Sequence, residues 1–436
     1  MGKPWILFIA EPEYSLEEYD LLKQDFNTVN YILERDIDGS GKEAFLKFLD
    51  DHSKQKGPIV GIFGGYPQFA PLGGLHADIL NDPRWPDSVK CICICSVGYN
   101  GIDLELLQQK GVELYNYDDT IQDSGIVAND VADCVLWHVL DGFRKFSSQM
   151  HALRSARNTI KARAEVILEE GQNHAPGFEF GHRWKRGRFN ESCRGKKCLI
   201  MGLGRIGVQC GKKLALGLGM EIHYTQRKRA MAKETESENI VQSWQFHPIF
   251  DLLHGTHGGQ DSTSISEPDR RTLNTSTLAI FDCIVICLPG TSSTYHMVNK
   301  AFLSQCKDGV VICNFGRGTL IDDAALQEVT DSKPGRILHV ALDVFHAEPV
   351  VEQWIAEDHH YNSITPHIAS STNAVWTSSN RLALQVLGHV CVSAVPRESL
   401  GNRSGKPHTT QALSLGSKLA PALARKSPVP RLPRVV

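Results

Sequence analysis

The stretch from Cys198 to Gln226 constrains the fold more than any other part of the chain. An apolar run, "CLIMGLG", carries Gly202 and Gly204, and "RIGVQCGKKLALGLG" continues with Gly207 as a helix-like segment. A second run, "EIHYTQ", reads as the strand that closes the unit. Strand, glycine-rich turn, helix and strand in this order predict a dinucleotide-binding unit. Each glycine has its own duty. Gly202 makes the tight turn, Gly204 lets the backbone approach a pyrophosphate, and Gly207 lets the helix pack on the strand. The helix N-terminus, with Arg205 and Ile206 in its first turn, faces the phosphates.

Such units usually place an acid at the end of the second strand, where it bonds the ribose hydroxyls and repels a 2′-phosphate. Here that place reads Tyr224, Thr225, Gln226, Arg227, Lys228 and Arg229. Thr225 and Gln226 remove the repulsion. Arg227, with Lys228 or Arg229, offers charge-assisted contacts to a phosphate. The expectation is a preference for NADP (as NADPH), with NAD as the alternative.

The rest of the chain repeats the alternation of strand and helix. Short apolar runs lie at 4–10, 58–64, 90–95 and 112–116, and again at 283–289, 310–316 and 337–345. In "CICIC", Ile92 and Ile94 share one face and the cysteines the other. A long buried helix is expected from about 127 to 147, where Val127, Val131, Val135 and Val139 recur at helical spacing. The fold class is therefore α/β with two domains. A Rossmann-type doubly wound parallel sheet occupies 126–369, and a flavodoxin-like substrate domain takes 1–125, completed by 370–395. Two stretches break the rhythm and read as insertions, 152–183 and 247–277. The segment 396–436, where Glu398 is the one acid among scattered Lys and Arg, reads as a disordered basic tail.

A net charge of −3 with 22% charged residues gives no global field that would point to nucleic acid or an anionic membrane. No apolar run is long enough to span a bilayer. The twelve cysteines lack paired metal spacings and suit a reducing compartment, so the expected location is cytoplasmic. His247, His254 and His257 have no acid or Cys partner at metal-binding spacing, and no metal site is expected.

Three further stretches carry chemistry. "VICNFGRGTLIDDAAL" puts Arg317 past the carboxyl end of a strand, where ligands bind in such sheets. "ALDVFHAEP" puts Asp343 and Glu348 at the end of the next, and "NSITPHIASST" places His367 behind Pro366. Arg, Glu and His at successive loop positions match what reduction of a 2-keto acid needs. Arg binds and polarises the keto acid, His donates a proton to the developing alkoxide, and Glu orients that His and favours its protonated form.

With "SVGYNGID", "VANDVADC", "GLGRIG", "NFGRG", "LDVFHAEP" and "TPHIAS" in this order, the chain resembles the D-isomer-specific 2-hydroxyacid dehydrogenases of the glyoxylate and hydroxypyruvate reductase kind. The resemblance covers about 58–147 and 193–390. It implies hydride transfer to C2 of a small 2-oxo acid in the cleft between the domains. Arg317 then matches the substrate-binding arginine, and Glu348 and His367 the acid–base pair. The N–H groups of Val97 and Gly98 match the loop that holds the substrate carboxylate. Asp343 matches a residue near the nicotinamide carboxamide, Leu288 and Pro289 lie in the loop bordering the cofactor, and His367 is counted with the cofactor contacts too. Trp184 falls in the family's dimerisation arm, so a homodimer is implied. D-mandelate-type dehydrogenases and the NAD(H)-sensing corepressors that resemble this family are the alternatives.

Overall fold

The structure, a computed structural model, describes residues 2–36, 39–117, 125–168, 175–184, 188–226, 241, 243–248, 278–333, 335–357 and 362–394. The chain divides into two compact units. One holds the residues up to Ile126 and those from Thr372 onward, and the other holds Val127–Ser371.

The first unit runs β1 (Trp5–Phe8), α1 (Glu17–Asp25), β2 (Asn27–Asn30), α2 (Ser40–Gln55), β3 (Ile59–Gly65), α3 (Ala77–Leu80), β4 (Cys91–Ile94), α4 (Leu104–Gln109) and β5 (Glu113–Tyr115). Its sheet is parallel throughout, in the order β2-β1-β3-β4-β5, which is flavodoxin-like winding. Every residue of β3 and β4 is buried, as a strand covered on both faces must be. Ile92 and Ile94 join a core with Phe45, Leu49, Ile62 and Leu107. The cysteine face meets the last helix of the chain (Asn373–Ala394). There the Cys391 thiol reaches the Val60 carbonyl, and Gly61 has no room for a Cβ beside Cys391 Sγ.

The second unit opens with α5 (Ile126–Arg144), α6 (Phe146–Ala156), α7 (Thr159–Val166) and a two-strand ribbon, β6 (Arg183–Trp184) with β7 (Arg188–Phe189). Then follow β8 (Lys197–Met201), α8 (Arg205–Leu218), β9 (Glu221–Gln226), β10 (Gln245–Pro248), β11 (Cys283–Ile286), α9 (Lys300–Gln305), β12 (Val310–Asn314), α10 (Asp323–Ser332), β13 (Ile337–Leu342), α11 (Gln353–Glu357) and β14 (Asn362–Ile364). The C-terminal helix of the first unit is α12. The sheet order is β10-β9-β8-β11-β12-β13-β14, all parallel. The order reverses between β8 and β11, and ligands of such sheets bind past the carboxyl ends there. Alternate residues feed two apolar layers. Met201, Ile284, Ile286 and Ile312 face one layer, and Ile200, Val285, Val311 and Cys313 the other. At roughly 1.5–3 kcal/mol per fully buried aliphatic side chain, these central strands hold the carboxyl edge rigid.

Several expectations need correction. The stretch 152–183, which reads as an insertion in the sequence, holds the end of α6 and all of α7. Asn158 caps α7, its side chain accepting from the Ile160 and Lys161 N–H groups. The long helix ends at Arg144, because Lys145 takes a left-handed conformation and starts a new helix. The strands β2, β10 and β14 are additional; they are short or polar, so periodicity does not mark them. His247 belongs to β10, while residues 249–277, Arg227 and the tail 396–436 lie outside the described residues.

Candidate active site

The glycine turn after β8 has the shape that its sequence asks for. Gly202 sits at φ +97, and a Cβ there would lie 2.9 Å from the Cys287 carbonyl oxygen. At Gly207 a Cβ would lie 2.1 Å from the Gly202 carbonyl oxygen, so only glycine lets α8 close on the turn. Gly204 is the opposite case: a Cβ there would meet nothing within 4 Å among the described residues. That open space lies at the N-terminus of α8, where the N-cap Gly204 has no side chain to satisfy the first-turn N–H groups. Exposed Arg205 and half-buried Ile206 form that first turn. A backbone cradle at the N-terminus of a helix fits a pyrophosphate. Gln226 ends β9 half-buried, next to fully buried Thr225, whose Oγ1 has no hydrogen-bond partner among the described residues.

Arg317 is held by backbone packing. Buried Asn314 ends β12; its Nδ2 donates to the Arg317 carbonyl and its Oδ1 accepts from the Gly316 N–H. A Cβ at Gly316 would lie 2.4 Å from the Leu288 carbonyl oxygen, and one at Gly318 would lie 1.9 Å from that of Phe345. The two glycines thus press the Arg317 loop between the Leu288–Pro289 loop after β11 and the loop after β13. Arg317 Nη1 donates to the Gly316 carbonyl at 2.8 Å. Leu288 is buried, and exposed Pro289 accepts from Thr294 Oγ1.

The loops after β13 and β14 bring Glu348 and His367 together. His367 Nδ1 lies 2.9 Å from Glu348 Oε2, and Glu348 Oε1 accepts from the Phe345 N–H at 2.8 Å. His367 has φ +55, a left-handed conformation that histidine tolerates better than most residues. The bond to Glu348 raises the His367 pKa against the opposing effect of partial burial. Partial burial would raise the Glu348 carboxyl, but the bonds from His367 and the Phe345 N–H outweigh it and leave the pKa lowered. Arg317 is close enough to act on both charges. The bond favours the imidazolium form of His367, set against a carboxylate and near a guanidinium, a group of charges suited to bind an anion and donate a proton.

Asp343, placed near the nicotinamide by the sequence reading, has most of its carboxylate committed to the turn that carries His367. Oδ1 accepts from Thr365 Oγ1 at 2.6 Å and from the Ile368 N–H at 3.0 Å, and Oδ2 accepts from the Ala369 N–H at 3.1 Å. Burial raises its pKa against these bonds. In the first unit, Val97 and Gly98 follow β4. The Val97 carbonyl accepts from Asn116 Nδ2, and the Gly98 carbonyl from Gln68 Nε2 and Ser96 Oγ. Asn314, Thr365, Gln68 and Ser96 were not among the sequence-derived site residues. Asn314 had a readable signal, a lone amide ending the apolar run "VVICN".

The family profile of the D-isomer-specific 2-hydroxyacid dehydrogenase NAD-binding domain matches residues 150–251 and 260–369. That range takes in most of both stretches expected to be insertions. The chain is 40% identical over 394 residues to the "Putative 2-hydroxyacid dehydrogenase YGL185C" of Saccharomyces cerevisiae, covering 88% of this chain and 92% of that one. The holo D-mandelate dehydrogenase of Rhodotorula graminis shares the fold at TM-score 0.66 and 22% identity, over 89% of this chain and 94% of that one. An NADPH-dependent glyoxylate/hydroxypyruvate reductase from Sinorhizobium meliloti, in complex with NADP and malonate, does so at TM-score 0.60 and 20% identity, over 93% of this chain and 100% of that one. The parallel sheets, the glycine cradle for a cofactor of the NAD(P) class and these likenesses converge: the chain belongs to the D-isomer-specific 2-hydroxyacid dehydrogenase family of oxidoreductases.

Proposed function

We propose that this enzyme reduces small 2-oxo acids, glyoxylate and hydroxypyruvate, to D-2-hydroxy acids and prefers NADPH. The observation that carries the reading is the Glu348–His367 bond beside Arg317 at the carboxyl edge of the sheet. NADPH supplies the hydride. Arg317 binds the 2-oxo acid and draws charge toward its keto oxygen, and the Val97 and Gly98 N–H groups hold its carboxylate. His367, kept protonated by Glu348, delivers a proton from Nε2 to that oxygen as the alkoxide develops. Gly202, Gly204, Arg205, Ile206, Gly207, Leu288 and Pro289 form the cofactor cradle.

The cofactor preference rests on Gln226 standing where an acid would repel a 2′-phosphate, followed by Arg227. The homodimer reading draws support from Phe178, Phe180 and Phe189, which expose large aromatic surface on either side of Trp184. Twelve free cysteines favour a cytoplasmic location, and no helix among the described residues could cross a membrane.

Steady-state reduction of glyoxylate, hydroxypyruvate and an aromatic 2-oxo acid, each with NADPH and NADH, tests the proposal. The two small acids should turn over fastest with NADPH, and Arg227→Ala should weaken NADPH about ten-fold or more relative to NADH. A preference for the aromatic acid would move the protein to the mandelate type. Equal losses of both cofactors would remove Arg227 from the 2′-phosphate.

A further inference from the structure

Four polar side chains lie in the interior of the second unit, away from the site yet connected to it. His138 and Asp141 on α5, His339 on β13 and Ser363 on β14 are each at most 3% exposed. An unsatisfied buried donor or acceptor costs about 1–3 kcal/mol, so such a group needs partners. His339 Nε2 lies 2.7 Å from Ser363 Oγ, and Ser363 Oγ lies 2.6 Å from His138 Nδ1. His138 Nε2 lies 3.2 Å from Thr365 Oγ1, which donates to Asp343 Oδ1. Asp343 in turn binds the Ile368 and Ala369 N–H groups that bracket the His367 turn on its far side. Gly142 makes the approach of α5 possible, since a Cβ there would strike Val311 and His339.

The direction of each bond follows from the end of the chain. The Asp343 carboxylate can only accept from Thr365, so the Thr365 hydroxyl accepts from His138 Nε2–H. His138 Nδ1 is then the acceptor of the Ser363 hydroxyl proton, and Ser363 Oγ accepts from His339 Nε2–H. Every donor points toward Asp343, an ordering that strengthens each bond in a low-dielectric interior. Burial pushes the His138 pKa down to about 3, which keeps the ring neutral as this arrangement requires. The His138 ring also meets Phe315 edge-on at 5.2 Å, two residues before Arg317. One buried side chain thus touches the supports of both site loops.

We propose that His138 is a positioning residue for the acid–base pair: through Thr365 and Asp343 it fixes the turn that carries His367, and through Phe315 the loop that carries Arg317. The proposal rests on the assigned roles of those residues. Removing the His138 donor frees the Thr365 hydroxyl to turn away from Asp343, and the turn that carries His367 loosens. His367 is then held less well against Glu348, and its protonated form is weakened. The charged groups around His367 are Glu348, Asp343 and Arg317.

The test is an NMR titration of ring-labelled histidine in the full chain, which needs no turnover, together with kcat for glyoxylate. His138→Leu should lower the His367 midpoint by about half a pH unit or more. It should reduce kcat about ten- to a hundred-fold while the KM for NADPH holds. His138→Gln can accept from Ser363 and donate to Thr365, and should restore both readouts. Ser363→Ala, which loses one hydroxyl, should shift the midpoint the same way by less, and serves where His138→Leu does not fold. An unmoved His367 midpoint in folded His138→Leu or in Ser363→Ala would overturn the proposal, as would a His138→Gln variant no better than His138→Leu. A shifted midpoint in a protein that reduces no 2-oxo acid would uphold the positioning role and defeat the proposed activity.

Discussion

The turn after β14 and the middle of α5 each hold a histidine with polar neighbours on the ring, and the two rings have opposite chemistry. His367 is exposed, bonds a carboxylate and has a raised pKa. His138 is fully buried, bonds two hydroxyls and has a pKa of about 3. Hydroxyl groups cannot offset the cost of burying an imidazolium, whereas a carboxylate 2.9 Å away favours the charged ring even against partial burial. The charged ring can give up a proton. The neutral ring can only orient its neighbours. The same residue type thus serves as acid in one place and as strut in the other, and its partner decides which.

The comparison is broken most severely by removing the charged ring. His367→Gln should lower kcat for 2-oxo acid reduction by about 10²–10⁴ and change the NADPH dissociation constant, read by calorimetry, far less. Parallel loss of cofactor binding would make His367 a cofactor contact instead of the proton donor.

A second contrast sets two glycines against each other. Gly318→Ala forces a Cβ into the Phe345 carbonyl and parts the Arg317 loop from the Glu348 loop. It should destabilise the fold by about 1–3 kcal/mol in urea titration and lower kcat/KM for the 2-oxo acid. Gly204→Ala meets open space, so it should leave stability nearly unchanged and raise the KM for NADPH. Equal stability losses in the two variants would mean that the cradle is filled by protein.

The smallest effect concerns the fold itself. His367 has a raised pKa, so its share of stability is complete below its ordinary value of 6.5 and lost as pH rises through the folded value. Glu348 has a lowered pKa, so its share is present above its ordinary value of 4.5 and lost as pH falls through the folded value. The pair therefore stabilises between those limits. Both groups are more than a third exposed, and screening keeps the contribution below about 1 kcal/mol. Glu348→Gln should accordingly shift the melting temperature at pH 6 by at most a few degrees. A larger shift would make the pair a structural clamp.

Much of this was legible in the chain, for identifiable reasons. The expected run "EIHYTQ" is β9 residue for residue, because the glycine turn and helix before it fix where the next strand of the unit begins. Arg317 and Glu348 could be named because each follows a strand whose apolar run is unmistakable, and His367 because "TPHIAS" marks it where the short strand β14 does not. The Glu348–His367 bond could be expected but not measured, since their loops meet only through the register of β13 and β14. The Asn158 cap of α7 hid inside a polar stretch, where composition outweighed a single capping residue. The buried polar chain left no sequence signal at all. His138, His339 and Ser363 stand at core positions of α5, β13 and β14, and one-dimensional periodicity cannot distinguish a histidine with partners from a misplaced one.

The central claim is that the Glu348-held imidazolium of His367 is the proton donor in reduction. The pH dependence of kcat/KM for glyoxylate reduction in wild type and Glu348→Gln tests it most directly. Wild-type activity should fall as pH rises through a pKa above 6.5, and in Glu348→Gln that limb should move to lower pH, because the bond that raises the His367 pKa is weakened. An alkaline limb that stays at the same pH in both proteins would contradict the claim.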